Sequence, residues 1–385
     1  MNPFTQKLDD VTYHFENGNE NLAFRMLVDS VLDTHNVTNF NECIALADWR
    51  ETHREDNNTF IFKSKELISK LAKQSIEMHP ANQPLLQARD ITKSFGKSGF
   101  KLGPVNVEIT SGQLIGLVGE NGNGKTTLLR MMAKDLSITD GSISFPFASS
   151  THDDYTLRTK LTYIPQRTPK WHGRVKDNLK FTATHYGIAP NENEQWVLML
   201  MIRFGLWSFR NHSWNELSSG YKMRFELART FLRKPKLLLL DEPLANLDIL
   251  SQQLILEDLR LLGKSLSNPL GIVLSSQQLY EVEKVSDEVI FLKNGSPSSF
   301  NNLKNADSTG LQTLIAEIEI ANPKEDLIKA LAGFEVSEIK FLGSNYFIEM
   351  KNVSAEVFLQ KLIESHIQIK YFRDISFSTR RFFNQ

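Results

Sequence analysis

Gly119-Glu-Asn-Gly-Asn-Gly124-Lys125-Thr126 is the stretch on which the fold turns. It matches in full the phosphate-binding pattern G-x-x-x-x-G-K-[ST], and its flanks agree with it. An apolar run, Leu114 to Val118, comes before it, and a helix-compatible run from Thr127 to Ala133 follows. Glycines 119, 122 and 124 let the backbone turn so that successive N–H groups point at phosphate oxygens, with Asn121 in the same loop. The following helix, which Thr127 opens, adds its positive end. Lys125 reaches the terminal phosphates, and the Thr126 hydroxyl suits Mg²⁺. A glycine-rich turn without a ligand is the bland alternative, and a full match between strand and helix leaves it little room.

Outward from this loop, the chain from Leu86 to about Leu303 carries short runs rich in Val, Ile and Leu, separated by turns and longer helical stretches. The runs Leu114 to Val118, Leu161 to Ile164, Leu237 to Leu240, Ile272 to Leu274 and Val289 to Leu292 are apolar at nearly every position. Strands buried on both faces look like this, so an α/β fold is expected. Leu237-Leu-Leu-Leu-Asp241-Glu242 ends such a strand in two carboxylates. Asp241 is placed to hold the Mg²⁺ shell and Glu242 to polarise water, a pairing that implies hydrolysis as well as binding.

Further elements fall in an order that resembles the ATP-binding cassette (ABC) ATPases over just over half the chain. Tyr163-Ile-Pro-Gln166 looks like the strand and glutamine of the family's Q-loop, Leu217-Ser218-Ser219-Gly220-Tyr221 like its signature, and Pro243-Leu-Ala-Asn-Leu-Asp248 like its D-loop. Phe95 stands 24 residues before Gly119, where the family stacks an aromatic on adenine; an aromatic filling a hairpin core is the competing reading. The resemblance implies ATP and Mg²⁺ as cofactors, the metal held through Thr126, Gln166 and Asp241. It also implies a head-to-tail dimer with itself or a paralogous cassette, in which Ser218 and Gly220 of one copy complete the site on Lys125 of the other, near Asp248. Two positions depart from the pattern. The signature reads Ser219-Gly220-Tyr221 where Gly-Gly-Gln is usual, and Gln277 follows the strand Ile272 to Leu274 where the family has a histidine at the γ-phosphate. Gln277 hydrogen-bonds but carries no proton, so slow turnover is expected.

Three segments are expected: 1–82 all-helical, 84–303 the cassette with a helical subdomain at about 167–216, and 305–385 a small α+β unit. In the first, Asn21 to Leu32, Asn41 to Arg54 and Ser64 to Met78 show helical spacing, and Pro80 and Pro84 end the region. Cys43 reads as an ordinary buried thiol. The last segment reads strand, helix, strand, strand, helix, strand from Leu314 to Ile375, a ferredoxin-like order. Its alternation places Ala316, Ile318 and Ile320 on a buried face and Glu317 and Glu319 opposite. Arg380-Arg381 reads as a solvated tail.

Composition bounds the rest. The chain has 385 residues, 41% apolar and 23% charged, with 44 basic against 45 acidic side chains. Two or three domains fit that length, and nucleic acid is not expected as a partner. A single cysteine excludes an internal disulfide framework, and the nine histidines show no metal-ligand spacing. Ser219 to Lys222 fits Ser-x-x-Lys only by chance, inside the signature. No run approaches a membrane span, so a cytoplasmic protein, peripheral on the cytoplasmic face of a membrane, is expected. The leading reading is the ATPase subunit of a transporter with a separate polytopic permease, favouring export because cassettes with a C-terminal αβ extension are frequent among exporters. The exposed members among Trp171, Trp196, Met199, Met201, Phe204, Trp207, Phe209 and Trp214 are expected to dock that permease, about half of the set being subdomain core. The alternative is a soluble, slowly hydrolysing clamp or nucleotide-gated regulator, whose N-terminal helices bind an unknown partner.

Overall fold

The computed structural model describes residues 2–96, 99–148, 154–299 and 313–376. The boundary at 303–305 and Arg380-Arg381 lie outside the described residues. The chain divides into two compact units, the first formed by 1–277 with 285–287 and 292–297, the second by 278–284, 288–291 and 298 onward.

Four helices open the first unit: α1 (Pro3–Glu16), α2 (Glu20–Asp33), α3 (Val37–Thr52) and α4 (Asn57–Leu71). The spacing had suggested three. α1 is additional, built on buried Phe4, Leu8, Val11 and Phe15, with Pro3 in its first turn and Asn2 Oδ1 accepting from Phe4 N. α4 starts earlier than Ser64, because Asp56 caps it by accepting from Thr59 N at 3.0 Å, and it ends at Leu71, before Met78. Cys43 is fully buried in α3, which pushes its thiol up to about 12.

Next come β1 (Pro84–Ser94), β2 (Lys101–Thr110), β3 (Leu114–Val118), α5 (Lys125–Met132), β4 (Asp140–Ser144), α6 (Asp154–Lys160) and β5 (Leu161–Ile164). The helical stretch holds α7 (Val175–His185), α8 (Pro190–Arg203) and α9 (Ser219–Phe231). After it run β6 (Leu237–Leu240), α10 (Ile249–Gly263), β7 (Gly271–Ser276), α11 (Leu279–Val285), β8 (Glu288–Lys293) and β9 (Ser296–Ser299). β2, β1 and β4 form an antiparallel sheet in that order. β5, β6, β7 and β3 are consecutive parallel neighbours, with Ile164 opposite Leu240, Leu240 opposite Leu274, and Val118 opposite Ser276. Every residue of β3, β6 and β7 is buried, as expected of strands covered on both faces. The register brings the residues after all four strands, Gly119, Gln166, Asp241 and Gln277, to one edge of the sheet, where parallel α/β sheets bind ligands.

The N-terminal helices are tied to this unit by charge. Arg203 of α8, wholly buried, donates through Nε to Asp29 of α2 and through an Nη at 2.6 Å to Asp258 of α10. Arg25 of α2 reaches the same Asp258 carboxylate at 2.7 Å and also pairs with Glu257. Burial works against the Arg203 guanidinium, but the Asp29 and Asp258 charges outweigh it and raise its pKa. Around this network lies the aromatic-rich stretch expected to dock a permease, and its members are spoken for. Trp196, Met199, Met201, Phe204 and Trp214 are buried. Trp207 Nε1 donates to Glu51 of α3 at 3.0 Å, Trp171 Nε1 donates to Glu226 at 2.6 Å, and Phe209 packs on Tyr221 at 4.2 Å between centroids. Their size serves the core and the seating of α2 and α3 rather than a free surface.

In the second unit, β10 (Thr313–Ile320), α12 (Lys324–Ala330), β11 (Glu335–Leu342), β12 (Asn345–Lys351), α13 (Ala355–Glu364) and β13 (Ile369–Asp374) build an antiparallel sheet of order β11-β12-β10-β13. Ala316, Ile318 and Ile320 face a core shared with Ile348, Met350 and Phe358. Glu317, expected on the open face, is instead only 4% exposed and accepts from Asn345 Nδ2 at 2.9 Å.

Arg203→Leu, which leaves Asp29 and Asp258 buried without this cation, is expected to lower unfolding stability by about 3–5 kcal/mol. Urea denaturation of the full chain against the parent measures it.

Candidate functional site: a phosphate loop facing two carboxylates

The loop after β3 is shaped by its glycines for two different reasons. Gly122 and Gly124 sit at φ of 84° and 99°, a region that side chains rarely adopt, and Gly124 is the residue from which α5 starts. Gly119 is needed for closeness, since a Cβ there would stand 2.4 Å from the Leu292 carbonyl oxygen. Asn121 and Gly122 are exposed, and Thr127 lies in the first turn of α5. Asn123 steadies the loop from below, its Oδ1 accepting from Asn294 N at 3.0 Å.

Lys125 is 5% exposed. Its ammonium donates to the carbonyls of Gly119 at 2.7 Å and Glu120 at 3.2 Å and lies 3.2 Å from the Glu242 carboxylate. The neighbouring Thr126 hydroxyl donates to Asp241 Oδ1 at 3.1 Å. Two residues that the sequence reading left without a role complete the cluster. Ser275 Oγ on β7 donates to Asp241 Oδ1 at 2.8 Å and accepts from Glu242 N at 2.9 Å. Tyr163 Oη on β5 donates to Asp241 Oδ2 at 3.2 Å. Burial and then the Asp241 charge push the Tyr163 phenol far up, so it stays a neutral donor. Glu242 holds φ of 49°, left-handed for a side-chain residue, a conformation that costs about 1–3 kcal/mol. The Ser275 bond to its N–H holds that turn in place. The signal for Ser275 lay in the strand ladder: Leu274 pairs with Leu240, so the next residue faces Asp241.

Gln166 and Gln277 are exposed and lie at the same edge, each just beyond its strand. Phe95 is 38% exposed and 6.4 Å from Phe100, the residue whose ring would meet a Cβ on Gly124 at 3.3 Å. The hairpin therefore places an aromatic against the loop, with Phe95 beside it. Ser218, Gly220 and Asp248 gather elsewhere. Ser218 caps α9, Gly220 is buried so that a Cβ would meet Ser251 Oγ at 3.3 Å, and Asp248 caps α10 by accepting from Ser251 N at 2.9 Å. Ser219 Oγ donates to the Asn246 carbonyl at 3.0 Å, joining the start of α9 to the loop before α10. Among the described residues no hydrogen bond joins Ser218 or Asp248 to Lys125 or Thr126.

A strand, a glycine loop closing on a buried lysine, and a parallel strand one removed in the sheet ending in paired carboxylates define a P-loop nucleotide hydrolase. A family model described as ABC transporter matches residues 102–245. An uncharacterised ABC transporter ATP-binding protein of Bacillus subtilis, YhaQ, is 32% identical over 223 residues, 57% of this chain and 72% of its own length. The spermidine/putrescine import ATP-binding protein PotA of Mesoplasma florum is 32% identical over 219 residues, 55% of this chain and 60% of its own. The solved structure of cbiO1 from Clostridium perfringens, part of the ABC transporter complex cbiONQ, superposes with a TM-score of 0.52 at 24% identity, covering 59% of this chain and 92% of that one. The chain belongs to the ABC transporter ATP-binding proteins. It is an ATP-binding subunit of that family and an ATP hydrolase.

Among the described residues no helix is long and apolar enough to cross a membrane, and no group of three or more His, Cys, Asp or Glu side chains forms a metal cluster. Ser275→Ala removes one hydrogen bond to a carboxylate and the support of the Glu242 turn. Bonds to charged groups contribute about 1.5–3 kcal/mol, so ATP turnover should fall about tenfold or more while ATP binding through Lys125 persists. Steady-state phosphate release alongside nucleotide-binding titration separates the two.

Proposed function

We propose that the chain works as an ATP-sandwich dimer, with itself or a paralogous cassette, driving a separate polytopic permease, and that the direction is export. The observation that carries the dimer is the division of the family's site residues into two preformed clusters. Lys125, Thr126, Asp241 and Glu242 form one; Ser218, Gly220 and Asp248 form the other, knitted to each other through Ser251 and Asn246. A second copy supplies what each cluster lacks. The second unit's βαββαβ order, ferredoxin-like in its strand arrangement, favours export, while relatives such as PotA carry import in their names. Residues 1–82, 84–303 and 305–385 serve as helical brace, cassette and C-terminal unit in this reading.

Mg²⁺ fits the donor set, because Thr126 Oγ1 and Asp241 Oδ1 are already paired oxygens of the kind a hard cation takes, with Gln166 at the same sheet edge. The metal would neutralise phosphate charge. The protein's part is positioning. Lys125 exchanges the Gly119 and Glu120 carbonyls for phosphate oxygens, the loop glycines turn N–H groups toward the same anion, and Phe95 stacks on the base. Glu242, released from Lys125, orients the attacking water, and Gln277 holds the γ-phosphate by a neutral hydrogen bond. Loss of charge assistance at residue 277, about 1.4 kcal/mol between charged and neutral hydrogen bonds, sets turnover roughly tenfold below a histidine-bearing site.

Lys125→Ala is expected to abolish turnover, Glu242→Gln to accumulate an ATP-bound dimer by size-exclusion chromatography, and Gln277→His to leave turnover unchanged or raise it up to about tenfold. Parental turnover in Glu242→Gln would overturn the role of Glu242. A polytopic protein co-purifying from detergent-solubilised membranes supports the transporter reading. Ribosomes or DNA in its place would select the clamp, and absence of turnover under every partner condition the nucleotide-gated regulator.

A further inference from the structure

In the first unit a groove of about 260 Å³ opens beside the buried Arg203 network, lined by α2, α8, the last residues of α6 and α9, the segment before β6, the end of α10 and the loop after it. Its floor is apolar, formed by Trp196, Leu200, Phe231 and Leu262. Three lysines rim it. Lys160 and Lys236 immediately precede β5 and β6, and Lys234 Nζ lies 4.5 Å over the Trp196 ring. His35 and His79 complete the rim, His35 edge-on to Trp196 at 5.5 Å.

The charge balance of this groove is uneven. Two carboxylates lie in its wall, Asp29 and Asp33, and both are engaged from behind. Asp29 accepts from Arg203. Asp33 pairs with Lys7 at 2.7 Å and accepts from Ser265 Oγ, Ser267 N and Ser267 Oγ at 2.8, 3.2 and 2.8 Å. The three lysines make no ion pair among the described residues; Lys160 Nζ donates only to the Lys234 carbonyl, at 3.2 Å. Glu192 and Glu77 are the other acids that the rim feels, through Lys234 and His35 respectively. Burial, then the charges of Lys236 and Lys234, pull the Lys160 ammonium down, and burial lowers Lys234 as well. Three cations gathered over an aromatic floor, with the wall carboxylates already engaged and no ion pair of their own, repel one another, and an anion seated between them relieves that repulsion.

We propose that this groove binds a small organic anion, its charged head among Lys160, Lys234 and Lys236 and its aromatic or short alkyl body on Trp196 and Phe231. The volume is at the lower end of ligand pockets, which fits a molecule of about a dozen heavy atoms rather than a peptide. Inorganic phosphate alone leaves the apolar floor unused, and a neutral hydrocarbon leaves the lysines uncompensated. The site stands apart from the phosphate loop and does not depend on the transporter reading. β5 and β6 run from Lys160 and Lys236 to the Gln166 and Asp241 edge, so an occupant here touches the opposite ends of the strands that carry those residues.

The test titrates the full chain with 2-naphthoate by ligand-observed NMR, with 2-naphthalenemethanol as the neutral arm and acetate as the anion without a ring. Naphthoate is expected to bind at about millimolar affinity or tighter and about tenfold better than either control. The exposed pair Lys234→Gln/Lys236→Gln should weaken naphthoate about tenfold and leave the alcohol unchanged. Lys125→Ala should leave naphthoate binding intact, which places it away from the nucleotide site. Equal binding of acid and alcohol, loss in Lys125→Ala, indifference to the double substitution, or no binding at all would each overturn the proposal.

Discussion

A single hydroxyl on β7, Ser275 Oγ, holds the two carboxylates of the site in their places, donating to Asp241 and accepting from the Glu242 N–H. That double bond of contacts is available only because β6 and β7 run parallel in a register that sets Ser275 beside the residue after Leu240. The left-handed turn at Glu242 swings its side chain back toward Lys125, so the strand ladder, the strained turn and the ion pair form one mechanical chain. Slipping the register by one residue would point Ser275 to the other face and remove its bonds to Asp241 and to the Glu242 N–H.

A second constraint acts at a distance. α8 carries a guanidinium into the interior, and a charge so placed must be paired or it unfolds its surroundings. The pairing carboxylates come from α2 and α10, on either side of it in sequence. The helical stretch after the Q-loop is thereby fixed to the N-terminal helices on one side and to the helix following the D-loop on the other.

The candidate site was legible in the sequence to the extent that its residues lie close together along the chain. Gly119 to Thr126 and Leu237 to Glu242 are contiguous, and each carries its own strand and turn signal. Ser275 and Tyr163 were not assigned roles because a serine at the end of an apolar strand and a tyrosine within one acquire meaning only from the neighbouring strand. In the aromatic stretch from Trp171 to Trp214 the sequence did not separate core from surface, for a related reason. Its cover, Glu51 of α3 and the helices around Phe40, lies more than 100 residues away in sequence, so large side chains that are buried in the fold looked free. The lysines of the groove come from two separate places, the last residue of α6 and the segment 234–236 before β6, and line it together with α2. Such convergence leaves no periodicity to detect. Residues 313–376 were the most legible, their six elements matching in order, because each is short, regular and bounded by turn residues; only the burial of Glu317 depended on a cross-strand partner, Asn345.

The pairing of Arg203 with Asp29 has a consequence for how the chain comes apart. A protease cutting between α4 and β1, in residues 72–83, severs the backbone but none of the contacts that seat α2 and α3: the Asp29–Arg203 and Arg25–Asp258 ion pairs, the Glu51–Trp207 hydrogen bond and the edge-on stack of Phe40 on Trp196 all survive the cut. The first seventy residues would remain as a non-covalent cofragment, and a nicked molecule would migrate as one species until denatured. The linker keeps bonds of its own, Gln74 to Asn39 and His79 N to the Leu266 carbonyl, and the helices before it behave as a part of the enzyme's interior that is encoded ahead of the cassette.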